Sequence, residues 1–383
     1  MINKNKDRGI TLVALVITII ILLILATISI QSLTNTGLFQ KAQEAKEKTQ
    51  NAEENQAKTL NEYEDELNKY ISGDVKKTVK KVSDNIGSVL STTDNTELED
   101  AYGNKIVVPA GFKIVSDSTT SNAQTVDKGI VIEDATVDSE GKATATAGSQ
   151  FVWIPVGKIY TDVAKTEANA KTIELNRYTF DSNGKPTAQG EKVVETYYSE
   201  TASKGNTVAK DINAFKTSVT TNGGYYIGRY EARQKNGKLT VVKTDGVFNN
   251  ITQPNAAIQA QNMYNSNKFT SDLMNSYAWD TATLFLQTCG EEKYSIKTSV
   301  NKSLASRGTN SSDYTGTRDT VCNVYDMASN IREWTTETSN DSNYPCVNRG
   351  GYYNDSNIYT SIRNNNSTSS SDGNRGFRPL LFV

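Results

Sequence analysis

The chain has 383 residues, with 41 Lys+Arg against 43 Asp+Glu and a formal net charge of −2. That length holds two or three folding units, and so even a charge balance argues against a dedicated nucleic-acid binder. No histidine occurs, which excludes Ser/His/Asp and Cys/His catalysis and histidine-ligated metals.

In chain order, the first element is an apolar run. Ile10 to Ile30 carries no charge and only four hydroxyl residues, Thr11, Thr18, Thr27 and Ser29. As a helix it is roughly 31 Å long, about the hydrocarbon thickness of a bilayer. Lys4, Lys6 and Arg8 precede it. Basic flanks stay inside, so the run predicts a single-pass membrane helix over 10–30 with the C-terminus outside. From Leu38 onward, apolar residues recur at steps of three and four. Glu44–Lys48, Glu54–Lys58 and Asp65–Lys69 form acid-before-base pairs four apart, predicting a helical stalk over 31–72. Residues 73–104 lose this period and read as a linker or a small irregular subdomain.

The junction Arg8-Gly9-Ile10-Thr11-Leu12 resembles the N-terminus of type IV prepilins and pseudopilins. The resemblance implies a leader over 1–9, cleavage after Gly9 by a prepilin peptidase, and Ile10 as a methylated new N-terminus. It also implies other pilin-like subunits as partners and a location at the cell surface or in an extracellular filament. Pilins carry a glutamate five residues after the glycine; Ala14 stands there. The intersubunit charge pair is therefore missing, as expected of a minor or tip subunit or of a membrane-held pilin-like protein.

From Lys105 the pattern changes. Short β-branched and aromatic runs alternate with Gly, Asn, Ser and Asp clusters, as in IVVPAGFKIV, GIVIED, QFVWIPVG, GGYYIGRYEA and KLTVVK, and predict many short strands. One helix is predicted over Thr270–Cys289. The three cysteines, Cys289, Cys322 and Cys346, follow no CxxC spacing; one bridged pair or three thiols suit them equally.

Phe151–Val156, Gly224–Ala232, Ser276–Trp279, Asn323–Trp334, Arg349–Tyr352 and Gly376–Pro379 resemble, in order, the motifs of the formylglycine-generating enzyme-like (sulfatase-modifying factor) family. The resemblance covers about 105–383 and implies a C-type-lectin-like fold. The whole chain is thus expected to be α+β: a long N-terminal transmembrane and stalk α-helix followed by a C-type-lectin-like domain. The oxidases of this family use two cysteines between the R-G-G and G-F-R motifs, and no cysteine lies between Arg349 and Gly376 here. Other branches use histidine-ligated iron. A formylglycine-generating-type enzyme is therefore the third-ranked expectation, behind a recognition or adhesion protein and a structural minor pilin.

The resemblance also implies a structural calcium near Asn330 and Glu333, the only cofactor expected. Trp153, Trp334 and Phe377 are expected in the core. Asp326, Asn330, Glu333, Arg349 and Arg378 are expected in buried polar pairs.

Between the closing motifs, all of 352–374 except Ile358, Ile362, Arg363 and Gly373 are Asn, Ser, Thr, Asp or Tyr. In retroelement-diversified members this segment is the variable, ligand-contacting face, and adenine-directed codon change yields such a composition. Tyr supplies rigid contact area, and Asn and Ser supply adaptable hydrogen bonds. The expected face is Tyr352, Tyr353, Asn354, Asp355, Asn357, Tyr359, Arg363, Asn364 and Asn366, taking an unidentified protein or glycan; a plain polar surface loop is the alternative.

Overall fold

The computed structural model describes residues 12–35, isolated helical positions between 41 and 63, and residues 79–115, 125–137, 143–190, 212–244, 246–296, 319–353 and 359–383. Gly9, Ile10, Asn354, Asp355 and Asn357 lie outside the described residues. The chain divides into two units, Met1–Thr78 and Val79–Val383.

In the first unit a helix runs over Leu12–Asn35. Its hydroxyls bond their own backbone: Thr18 Oγ1 donates to the Ala14 carbonyl at 2.8 Å, and Thr27 to that of Leu23. This satisfies the two threonine hydroxyls within the apolar stretch. Among the described residues, however, no helix is long and apolar enough to cross a membrane. The side chains described run from 14 to 29, about 24 Å of helix against the ~30 Å of a hydrocarbon core. The expected transmembrane helix over 10–30, and the single-pass, cell-surface or filament location built on it, are not upheld. At the described positions between 41 and 63 the backbone is helical and exposed.

The expected α+β class is corrected as well. Among the described residues, 21 strands stand against four α-helices, and this described part is mostly β. The reason lies in the second unit. Its central sheet has six antiparallel strands, in the order Thr270–Leu273, Pro379–Phe382, Gly224–Gly228, Ala143–Pro155, Val131–Val137 and Phe112–Ile114. Alternate residues of each strand enter different cores. Val152, Ile154, Tyr225, Ile227, Leu380 and Phe382 belong to one apolar cluster. Phe151, Trp153, Tyr226 and Leu381 belong to another. Both faces are covered, which is why these strands read as unbroken apolar runs.

Gly224 is fixed by this packing: a Cβ there would lie 2.4 Å from the Trp153 ring across the ladder. The helices Ile212–Asn222 and Ser276–Cys289 contribute Phe215, Val219, Tyr277, Phe285 and others to the first cluster. Val82, Leu98, Ile106 and Val108 contribute to the second. Much of the stretch expected as a linker over 73–104 is therefore structural from Val79 on. Val82 and Leu98 are fully buried, and Thr96–Glu99 pairs with Lys105–Val108.

The helix expected over Thr270–Cys289 begins late. Thr270–Leu273 is an edge strand paired with Pro379–Phe382. Asn275 then caps the helix, its Oδ1 accepting from the Ala278 amide at 2.8 Å; an Asn at this position satisfies an otherwise orphaned N–H.

Candidate ligand-binding face

A second sheet positions the candidate segment. Its order is Arg363–Asn366, Cys346–Arg349, Arg332–Thr338, Arg375–Phe377. The first three strands pair antiparallel with one another in succession. Arg375–Phe377 lies parallel to Arg332–Thr338, with Trp334 opposite Phe377. Residues 352–374 thus leave one strand of the sheet and return to it twice. Trp334 and Phe377 are fully buried, as expected, and the Trp334 indole N–H donates to the Ile251 carbonyl at 2.8 Å.

Gly350 starts the segment. It has φ +80°, and a Cβ would sit 2.6 Å from the Met327 carbonyl oxygen. Tyr352 follows, half-buried, with the Arg332 guanidinium 4.5 Å from its ring centroid. Tyr353 turns inward. It is only 9 % exposed, packs with Val247 and Ile331, and donates its amide to the Asn330 carbonyl at 2.8 Å. Tyr359 is exposed. The next residue, Thr360, is buried, its carbonyl accepting the Trp279 indole N–H at 2.9 Å.

Arg363 does not point to solvent. Its Nε donates to Glu337 at 2.7 Å, Nη1 to the Tyr178 carbonyl at 3.2 Å, and Nη2 to Asp280. Its cross-strand neighbour Arg349 donates to the same two carboxylates and, at 2.8 Å, to the Ile362 carbonyl. Arg177 adds a third guanidinium on Glu337. Burial alone would raise Glu337, but Arg349, Arg363 and Arg177 outweigh it and hold its carboxyl below the usual range. This buried ion cluster fastens the segment to the helix and the sheet behind it.

Along Arg363–Asn366 the strand alternates. Asn364 is half-buried, Asn365 exposed, and Asn366 buried, its Oδ1 accepting from Arg375 at 2.9 Å. Asp372 is held by Arg375, and its carbonyl accepts the Asn250 amide at 3.0 Å. Of the nine residues expected on the face, six are described. Tyr352, Tyr359 and Asn364 reach the surface. Tyr353, Arg363 and Asn366 are held inward. The surface also includes Asn365, Ser369 and Ser371, which the sequence reasoning missed. Strand alternation in Arg-Asn-Asn-Asn was the available signal for Asn365. Asp280, a lone acid in the apolar run SYAWDTATLF, was the available signal for the ion cluster.

The calcium expectation meets a different arrangement. Both Glu333 oxygens are taken by the Arg378 fork, at 2.6 and 3.0 Å. The Asn330 amide donates to Glu231. Of the Asn330 and Glu333 side-chain oxygens, Asn330 Oδ1 alone has no hydrogen-bond partner, and nearby Asp326 Oδ2 has none either. No group of three or more acidic or thiol side chains that could hold a metal occurs among the described residues. A cation needs several free oxygens, so Asn330 and Glu333 as placed do not fit one. Ser329 is not among the residues with positive φ, whereas Asp326 and Asn330 on either side of it are. Its hydroxyl donates to Asp319 at 2.9 Å. Burial, then the Glu333 charge, pushes the Glu231 carboxyl up to about 8 against the pull of Arg233 and Arg378. Burial also raises Asp326, helped by Glu231 and Asp319.

No protein-family model and no curated protein matches the chain. Among solved structures it is similar to CarF over 42% of this chain and 87% of that one, at 13% identity and a TM-score of 0.30. It is similar to PvdO from Pseudomonas aeruginosa over 66% and 98%, at 12% identity and a TM-score of 0.36. It is similar to Treponema denticola variable protein 1 over 63% and 98%, at 14% identity and a TM-score of 0.31. At scores this low the likenesses decide nothing about this chain.

Proposed function

We infer that residues 105–383 form a non-catalytic recognition or adhesion module of C-type-lectin type. It takes a protein or glycan ligand on the exposed rim of 352–374. One observation supports this above the others: Tyr352, Tyr359, Asn364 and Asn365 lie on a segment whose backbone is fastened from behind by the Arg349–Arg363–Asp280–Glu337 cluster. Polar and aromatic contact groups on a fixed frame lose little entropy on binding. The composition of 352–374 suits retroelement diversification of the rim over an unchanged frame. The absence of histidine and of cysteine between Arg349 and Gly376 favours binding over catalysis.

The test is a glycan and protein array probed with the full chain, then with the Tyr352→Ala/Tyr359→Ala/Asn365→Ala variant. Binding by the parent, lost in a variant with unchanged melting, is expected. Full binding by the variant would place the ligand elsewhere.

A further inference from the structure

All three cysteines are thiols in this structure, and two of them lie near one another. Cys289 ends the helix Ser276–Cys289. Cys322 lies in the turn between the strands Thr320–Val321 and Val324–Tyr325, with φ +44°. A methyl built on Gly290, the residue after Cys289, would stand 3.0 Å from the Cys322 sulfur and 2.2 Å from Val321. Adding one Cα–Cβ bond and one Cα–Cα step puts that sulfur within about 8 Å of the Cys289 Cα.

Both thiols are half-buried and pack against the same apolar cluster. Both also border the short turn Val126–Lys128. Cys322 donates its thiol hydrogen to the Asp127 carbonyl at 3.4 Å. Cys289 senses the charges of Asp127 and Lys128, and Cys322 senses that of Cys289. Cys346 packs elsewhere, with Trp334, Leu273 and Phe377.

We propose that Cys289 and Cys322 are a disulfide-forming pair, which under oxidising conditions ties the end of the Ser276–Cys289 helix to the Thr320–Tyr325 hairpin. The oxidant is a low-molecular-weight disulfide. One protein thiolate attacks it, forming a mixed disulfide and releasing one small thiol. The second protein thiol loses its proton to solvent. Its thiolate attacks the protein-side sulfur and expels the second small thiol. The two protein thiols give up two electrons and two protons, and one small disulfide becomes two thiols.

Burial pushes the Cys289 thiol up to about 12 and Cys322 higher still. Thiolate is therefore scarce near neutrality and the bond forms slowly. The same burial shields the bridge from reductant once formed. The hairpin leads directly into Asp326–Asn330, and the Asn330 carbonyl holds the Tyr353 amide. The bridge thus stiffens the support of the candidate face, but its existence does not depend on that face binding anything.

The test uses the full chain, reduced and then equilibrated at pH 8 with graded ratios of oxidised to reduced glutathione. Samples are acid-quenched, alkylated unfolded, digested and analysed by mass without reduction. The expected product links the Cys289 and Cys322 peptides, lighter by two hydrogen atoms, with Cys346 alkylated. The oxidised chain should also melt about 5–10 °C higher than the reduced chain, and Cys289→Ser should abolish that increment. Alkylation of all three cysteines after oxidation, a bridge to Cys346, or glutathione adducts without an internal bridge would overturn the proposal.

Discussion

Arg349 and Arg363 face each other across neighbouring strands, and both close on the same two buried carboxylates, Asp280 and Glu337. Two like charges tolerate this neighbourhood because each carboxylate is shared between them. Replacing Arg363 with Ala leaves Asp280 and Glu337 buried with fewer cations. It should cost about 2–4 kcal/mol, below the ~3–5 kcal/mol of a fully buried broken pair because the Arg363 side chain is 23% exposed. Arg349→Ala should cost at least as much, because Arg349 is fully buried. Chemical denaturation of both single variants and the double variant checks this. A loss under 1 kcal/mol for Arg363→Ala would mean that its guanidinium is solvated and the cluster is misdrawn.

The tyrosines of the segment should separate by role. Tyr353 is buried against Val247 and Ile331, so Tyr353→Ala should destabilise by about 2–3 kcal/mol. Tyr359 is exposed, and Tyr359→Ala should stay within about 0.5 kcal/mol of the parent. Thermal melting of the two variants side by side distinguishes them. Equal losses would deny the inward and outward assignments.

Much of the second unit was legible because its signals are local. The strands QFVWIPVG and GGYYIGRYEA announce themselves through β-branched and aromatic runs, and Trp153, Trp334 and Phe377 lie where their size demands. Burial on both sheet faces erased the alternation that would have shown which core each residue enters. Arg363 was misread because its partners, Asp280 and Glu337, are 83 and 26 residues away; no local pattern encodes an ion pair of that reach. The buried residues of 79–104 were not legible for a related reason. Val82 and Leu98 are isolated apolar residues in a polar stretch, and only the distant sheet they cover gives them a core. The helix start was missed because TSDL suits an edge strand only when Pro379–Phe382 is beside it.

Stability should fall as the solution turns alkaline. In the folded chain Glu231 holds its proton up to about 8, whereas its unfolded value is near 4.5. A carboxyl whose folded pKa is raised contributes stability that is fully present below the unfolded pKa and is lost as pH rises through the folded one. Asp326 is raised in the same direction. Glu337 is lowered and acts oppositely, losing its contribution at acid pH. Unfolding free energy measured from pH 5 to 9 should therefore decline, and Glu231→Gln should flatten the decline. A profile that rises over that window, or is unchanged by Glu231→Gln, contradicts the assignment.

Gly350 tests whether the R-G-G motif serves backbone geometry or ligand contact. Its φ of +80° is strained for any side chain, and the added carbon would meet the Met327 carbonyl oxygen at 2.6 Å and the Trp279 ring at 3.3 Å. The carbonyl is backbone and cannot swing aside, so the strand end or the Met327 turn must shift. Gly350→Ala should cost about 2–4 kcal/mol from strain and overpacking together. The neighbouring Arg349 would be displaced from Asp280, so the loss should be less than additive with Arg349→Ala. Denaturation of the two single variants and the double variant measures that coupling. Strict additivity would show that the glycine and the ion cluster act independently.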